Sequence, residues 1–360
     1  RLRRCRQSPR EIRMESQWKN KSVLVTGACG TVGRELVRQL AEHPVSRILG
    51  LDNNESEVFF DTEFHRQDPR VRYRVADVRD DAAIRWLMQG VDIAIHVAAL
   101  KHVILCEQAP DEAIQTNILG TQNMIHAARA CGVQRVLFTS SDKAVNPTSV
   151  MGTAKLMGEK LFSAANAERG PKQPIFASTR FGNVLGSRGS VIPLFRRQVA
   201  AGGPVTLTHQ DMTRFIMTLR EAVGLVVDSV WLALGGEVFV TKMPVVRIAD
   251  LAQNMIRQLA PRYGFSPEEI ELVVIGPKDG EKMFEELLSG EETRRTIELD
   301  RYFVVRPAFC DLVGRQLHET YPGIRALETQ AAYVSRAEDA MSAKALHEYL
   351  LKNSLYEEEA

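Results

Sequence analysis

The stretch VLVTGACGTVG constrains this chain more than any other. A run of β-branched and aliphatic residues, Ser22 to Thr26, ends at Gly27, and Gly30 and Gly33 follow where a helical pattern opens. Glycines so placed let backbone approach a pyrophosphate, and the helix start supplies N–H donors and a favourable dipole. A glycine triplet alone signals little. Here the next strand, RILGLD, ends in Asp52 about 20 residues further on, where a carboxylate can accept hydrogen bonds from an adenosine ribose. Asp at that place repels a 2′-phosphate, which predicts NAD rather than NADP. Gly27, Gly30, Thr31, Val32 and Gly33 are expected beside the pyrophosphate and Asp52 beside the ribose. The competing reading is a tight turn with a capping Asp.

From Lys21 onwards short strand runs alternate with helical patterns. The strands are SVLVTG, RILGLD, VRYRVADV, IAIHVAA, RVLFTSS and PIFASTRFGNV, with helices predicted over 31–42, 80–90, 109–131 and 150–168. This order predicts an α/β fold, a doubly wound parallel sheet of the Rossmann type with helices on both faces. Past Asn183 the regularity gives way to VLGSRGSVIP, a helix near 193–201, a GGPVTLT turn and strand, and an apolar helix over 221–234, which reads as a smaller substrate-binding lobe. The expected organisation is a basic N-terminal arm or linker over 1–20, a NAD-binding domain over 21–182, a lobe mainly for substrate over 183–310, and a C-terminal helical extension over 311–360. Helix is predicted from about 326 to 352 within or beside that extension.

Such a sheet needs a sizeable core, and 44% hydrophobic residues in a 360-residue chain supply it. A net charge of +1 gives no whole-molecule attraction to nucleic acid or an anionic membrane. Cys5, Cys29, Cys106, Cys131 and Cys310 are scattered without C-x-x-C spacing, so neither a disulfide framework nor a metal site is expected, and a reducing cytoplasm fits. No run reaches the roughly 18 apolar residues of a membrane span.

The chemistry sits in TSSDKAVNPTSVMGTAK. Ser141, Asp142 and Lys143 close the fifth predicted strand, where doubly wound sheets present their ligands; the plainer reading is a turn with a solvated ion pair. Met151 and Lys155 lie four apart on one helix face. The segment looks like a short-chain dehydrogenase active site in which Met replaces the Tyr of Tyr-x-x-x-Lys, and a thioether neither gives nor takes a proton in that role. Lys155 is read as a ribose ligand in preference to an exposed helix lysine. Asp77 and Val78 are expected near the adenine, and Ala98 and Ala99 where the cofactor passes. Lys101 and His102 could line a sugar pocket, while Thr116 and Asn117 read as bracing.

Seven stretches, TGACGTVG, HVAALKHVILCE, TNILGTQN, SSDKAVNPTSVMGTAK, RFGNVLGSRGSVIPLF, THQDMTRFIMT and GPKDGEKMFEEL, resemble in content and order the UDP-N-acetylglucosamine 4,6-dehydratases of bacterial polysaccharide and glycan biosynthesis. These belong to the extended short-chain dehydrogenase/reductases, and the likeness covers about 21 to 290. A sub-branch carrying Met in the Tyr position is the most similar. The resemblance implies a UDP-sugar substrate, oxidation at C4, loss of water across C5–C6 and hydride return to C6, with configuration at C5 retained. It makes Lys143 the C5 base and Asp142 the acid; Ser141, the nearest hydroxyl in sequence, could relay the O4 proton to the cofactor ribose, Lys155 or water. Lys143 must then be neutral part of the time, which desolvation would favour. Asn183 and Arg188 would meet the arriving nucleotide sugar, and Arg214, Glu281 and Lys282 its diphosphate and ribose. A homo-oligomer is expected from superfamily habit. The competing functions are a UDP-sugar 4-epimerase, which has no use for a C5 base, and a non-catalytic NAD-binding protein.

Overall fold

Val23, Leu24 and Val25 point alternately to opposite faces of β1 (Ser22–Thr26), yet all three are fully buried. Such a strand is covered on both sides, as a central strand of a parallel sheet must be. The computed structural model describes residues 16–170, 173–187, 189–276, 280–308 and 321–357. Strands β2 (Arg47–Asp52), β3 (Val71–Val75), β4 (Ile93–His96), β5 (Arg135–Ser141) and β6 (Ile175–Phe181) join β1 in the parallel order β3-β2-β1-β4-β5-β6. The order reverses between β1 and β4, so a crevice opens at their carboxyl ends.

Helices α1 (Thr31–Ala41), α2 (Glu55–Phe64), α3 (Asp81–Leu87), α4 (Val103–Gln108), α5 (Pro110–Ala113), α6 (Gly120–Cys131) and α7 (Val150–Ala167) fill the connections, and a π-helical stretch, Ile114–Leu119, joins α5 to α6. Beyond them lie β7 (Asn183–Val184), α8 (Val191–Ala200), β8 (Val205–Leu207), β9 (Thr213–Met217), α9 (Leu219–Leu232), β10 (Val238–Thr241), β11 (Val245–Arg247), α10 (Ile248–Leu259), β12 (Leu272–Val274) and β13 (Glu286–Leu288). The chain continues through β14 (Thr296–Leu299), β15 (Tyr302–Val305), β16 (Ile324–Ala326), β17 (Tyr333–Val334) and α11 (Ala343–Lys352). Val23 and Val25 pack with Leu36, Val37 and Leu40 of α1 and Val223 and Val226 of α9. On the other face Leu24 shares a core with Met124, Phe138, Phe162 and Phe176. A separate core, with Phe195, Val205, Leu251, Met255 and Leu346, sits in the C-terminal lobe.

The expected doubly wound α/β fold is present, and three details differ from expectation. The sheet is mixed and ten-stranded: β10 adds parallel to β6, then β15, β14 and β16 follow antiparallel. Part of the 183–310 region therefore extends the main sheet, because apolar runs such as Tyr302–Val305 are buried on both faces there. No α-helix forms over 326–342; the helical structure there is one 3-10 turn, Ala337–Asp339. Tyr333 lies between Phe215 and Phe303, at 4.6 and 5.1 Å between ring centres, and its hydroxyl accepts from the Met243 amide and donates to the Met243 carbonyl at 2.7 and 2.8 Å. That anchoring outweighs local helix propensity, and α11 starts only at Ala343, after Ser342 caps it. Finally, Trp18, inside the arm expected over 1–20, is fully buried against Trp231 and His43, while its neighbours Ser16, Lys19 and Asn20 are exposed.

Cys29 and Cys106 are buried free thiols and Cys131 is a half-buried one; Cys5 and Cys310 lie outside the described residues. Among the described residues no cluster could hold a metal, and no helix is long and apolar enough to cross a membrane.

Candidate active site

Gly27 turns the chain out of β1 with φ +65, a region that glycine enters at no steric penalty. A Cβ on it would also stand 2.8 Å from the Ala98 backbone. Gly33 is tighter still: a Cβ there would lie 2.1 Å from the Gly27 carbonyl oxygen, so only glycine lets α1 seat on the turn. Thr31 and Val32 begin that helix, with Gly30 at its N-cap. The Asp52 carboxylate accepts the Cys29 and Asn54 N–H groups, each at 3.1 Å, which ties the end of β2 to the glycine turn.

A buried relay that sequence reading missed holds the other wall. Thr121 donates to the Asn117 carbonyl at 2.7 Å, so its oxygen receives the Nε2–H of His96 at 3.1 Å. Nδ1 is then free to accept from the Thr26 hydroxyl at 2.7 Å, while Thr26 Oγ1 takes the Val97 and Ala98 N–H groups at 3.2 Å. Burial and the charge of Lys155 push the His96 pKa down to about 3, so this ring stays neutral. Its only signal was one polar residue inside IAIHVAA. Asn117 extends the network, clamping Leu100 through its N–H at 2.8 Å and its C=O at 2.9 Å, and so fixes the segment that carries Ala98, Ala99 and Lys101. Asp77 is paired with Arg79, whose hydrogen bonds hold its carboxyl below the usual range, and Val78 packs against Gly120.

A cleft of about 500 Å³ opens beyond the end of β5, lined by His102, Lys143, Asn183, Arg214, Glu281, Lys282 and Glu285 among others. Ser141 donates to Asp142 Oδ1 at 2.6 Å, and the same oxygen takes the Lys143 backbone N–H at 2.9 Å and Nζ at 3.1 Å. Across Nζ stands Glu285 Oε1 at 3.4 Å, with Arg214 Nε 3.7 Å from that oxygen. Asp142 and Glu285 are 1% and 2% exposed, and each keeps one buried oxygen, Oδ2 and Oε2, without a hydrogen bond. Burial alone would lower the Lys143 pKa, but the two carboxylates outweigh it and raise it. Lys143 is therefore an ammonium at rest, and the part-time neutrality that a C5 base needs does not come from burial alone. Burial, reinforced by the Asp142 charge, raises the Glu285 carboxyl against the pull of Lys143, Arg214 and Lys282. GEKMFEEL was legible as a motif, yet only its Glu281 and Lys282 were singled out.

Met151 is buried in an apolar cluster with Cys106 and Ala113. Its thioether packs and does not stand at the cleft wall. Lys155, one turn on, is 6% exposed and donates to the Thr139 carbonyl at 2.9 Å, over the face of Phe138. Burial lowers its pKa to about 8. Between about pH 8 and the unfolded value near 10.4 the unfolded chain binds the extra proton, so Lys155 makes stability rise with pH in that window. Urea midpoints from pH 7.5 to 10 should show this rise in the wild type and a shallower one in Lys155→Met; parallel curves would contradict the buried-ammonium picture.

Arg214 is anchored by donating to the Thr213 carbonyl at 2.7 Å and reaches Glu281 at 4.0 Å. Lys282 donates to the Val145 carbonyl at 2.8 Å, tying the GEK turn to the turn after β5. Lys101 is exposed and lies outside the cleft lining, and Arg188 lies outside the described residues.

A family described as polysaccharide biosynthesis protein matches residues 23–307. The chain is 48% identical to the uncharacterized membrane protein MJ1061 of Methanocaldococcus jannaschii, over 82% of this chain and 88% of that one. It is 36% identical to an inverting UDP-N-acetylglucosamine 4,6-dehydratase of Campylobacter jejuni, over 80% and 83% of the two chains. It is 37% identical to a UDP-glucose 4-epimerase of Rickettsia canadensis, over 79% and 82%. It spans about half the length, 46%, of two further curated relatives. The X-ray structure of Pen from Bacillus thuringiensis is similar at 36% identity and a TM-score of 0.85, over 93% of this chain and 98% of that one.

Proposed function

Because the chain belongs to the polysaccharide biosynthesis protein family, we propose that it is a nucleotide-sugar enzyme of that biosynthesis, and specifically a NAD-dependent 4,6-dehydratase of UDP-N-acetylglucosamine. The observation that carries this reading is a lysine held between two buried carboxyls at the mouth of a dinucleotide-type crevice. An epimerase, the second reading because of the Rickettsia relative, has no need of a base at C5.

The glycine turn suits the cofactor's pyrophosphate because Gly27 and Gly33 let the end of β1 and the start of α1 pack backbone to backbone, which sets the N-terminus of α1 at the mouth of the crevice. Gly27, Gly30, Thr31, Val32 and Gly33 would hold the pyrophosphate, Asp52 the adenosine ribose, Asp77 and Val78 the adenine side, and Ala98, Ala99 and Lys155 the nicotinamide half. What NAD supplies when bound there is reversible hydride transfer, out of C4 and back to C6. Ser141 passes the O4 proton to Asp142, its hydrogen-bond partner at 2.6 Å. Once C4 is a ketone the C5 proton is acidic enough for Lys143 to remove. The departing C6 hydroxyl takes a proton from the carboxyl set around that lysine, of which Asp142 is the member the sequence singles out. Asn183, Arg188, Arg214, Glu281 and Lys282, with Lys101 and His102, would hold the sugar nucleotide, and the cationic side chains suit its diphosphate.

A single base removing and returning the C5 proton on one face retains configuration. Incubation with UDP-N-acetylglucosamine in D₂O should therefore give, by NMR, the 4-keto-6-deoxy sugar of D-xylo configuration with deuterium at C5. The L-arabino epimer as first product would refute retention, and a C4 epimer with hydrogen at C5 would favour the epimerase.

A further inference from the structure

We propose that Glu285 is the acid of the elimination: it faces the substrate cleft across Lys143 and delivers the proton that leaves with the C6 hydroxyl. This rests on the dehydratase reading and changes the identity of one of its groups. Glu285 is among the side chains lining the cleft and Asp142, of the described residues, is not. Asp142 Oδ1 already receives Ser141, the Lys143 amide and the Lys143 ammonium, which suits a residue that orients Lys143 and collects the O4 proton. Glu285 Oε1 shares Lys143 at 3.4 Å and Arg214 at 3.7 Å, whereas its buried Oε2 has no partner. Both carboxyls keep a buried oxygen with no donor to stabilise its charge, so each takes up a proton more readily than an exposed carboxyl would; what separates them is that Glu285 lines the cleft. Burial and the Asp142 charge favour the proton on Glu285 and outweigh Lys143, Arg214 and Lys282, which oppose it.

The proton account closes. At rest Lys143 is an ammonium between two carboxylates. Transfer of its proton to Glu285, over 3.4 Å, creates a neutral amine and a carboxylic acid together, with no net change of charge. Ser141 passes the O4 proton to Asp142 as hydride leaves C4. Lys143 then takes the C5 proton; the electron pair of that C–H bond forms the C5–C6 double bond as the C6–O bond breaks, and Glu285 gives its proton to the departing oxygen, releasing water. When hydride returns to C6, Lys143 gives its proton back to C5, and Asp142 recharges Lys143. Every residue ends as it began.

The test compares UDP-N-acetylglucosamine with its 6-deoxy-6-fluoro analogue, whose fluoride leaves with far less help from an acid. Glu285→Gln also removes one of the two carboxylates that hold the Lys143 proton, so the amine can lose it to solvent; the variant should therefore lose about 100-fold or more in kcat on the natural sugar but less than about 10-fold on the fluoro sugar, with KM within about threefold on both. Asp142→Asn should lose similarly on both. Glu285→Asp, which keeps a carboxyl, should recover most of the natural-substrate rate and serves if the Gln variant does not fold. Equal losses of Glu285→Gln on the two substrates, or a near-normal rate on the natural one, would overturn the assignment. Wild-type protein that forms no 4-keto-6-deoxy product would instead overturn the dehydratase reading beneath it.

Discussion

Lys143→Ala should lose about 10³-fold or more in turnover while NAD and UDP-N-acetylglucosamine bind within about threefold of the wild type. The ammonium is the bridge between Asp142 and Glu285, at 3.1 and 3.4 Å, and no other lysine among the described residues touches both. On the dehydratase reading, removing it takes away the base for C5 but leaves the glycine turn, Asp52 and Arg214 in place. Reduced cofactor should still form in a first burst, because oxidation at C4 precedes the need for that base, and solvent deuterium should no longer enter C5. Turnover within tenfold of the wild type would mean that another group removes the proton.

Arg180→Met should destabilise the fold by about 3–5 kcal/mol, the usual cost of leaving buried charges without their partner. Arg180 is 2% exposed, and all five of its N–H groups are used: Glu159 at 2.6 and 2.7 Å, Glu292 at 2.8 and 2.9 Å, and the Leu287 carbonyl at 3.1 Å. It thereby joins β6, α7 and the segment that carries β13, next to Glu285. Burial would raise the Glu292 carboxyl, but Arg180 and the Ser289 amide overcome this and hold it at about 2. The stability from that depressed carboxyl is full above the unfolded value of about 4.3 and is lost as pH falls towards 2. In the variant the orphaned glutamates can be neutralised by protons, so the difference from wild type should shrink between pH 7 and pH 5. Urea unfolding at both values checks this, and a loss under about 1 kcal/mol at pH 7 would show that the glutamates reach water.

The two ends of the site were unequally legible. The glycine turn could be read because its parts recur at local spacings: strand, glycines, helix, strand and carboxylate all fall between Ser22 and Asp52. The same locality made Ser141, Asp142, Lys143, Met151 and Lys155 visible. His96 escaped notice because a histidine inside an apolar strand has many structural uses. Glu285 escaped because nothing in EKMFEEL marks which acid turns inward; the Ser335 hydroxyl taking the Glu285 amide at 2.9 Å, the Arg214 charge and the turn after β5 settle that.

What the sequence determined by itself is the parallel α/β core, the glycine turn and the order of chemical groups along β5 and α7, since strand alternation, helix period and glycine's freedom act over a few residues. The tertiary structure alone decided that β14, β15 and β16 extend the sheet, that Tyr333 holds its segment out of helix, and that Lys143 rests as an ammonium. Those outcomes depend on partners brought from remote parts of the chain, and a charge or a ring acts on its neighbours through distance and burial, which sequence spacing does not encode.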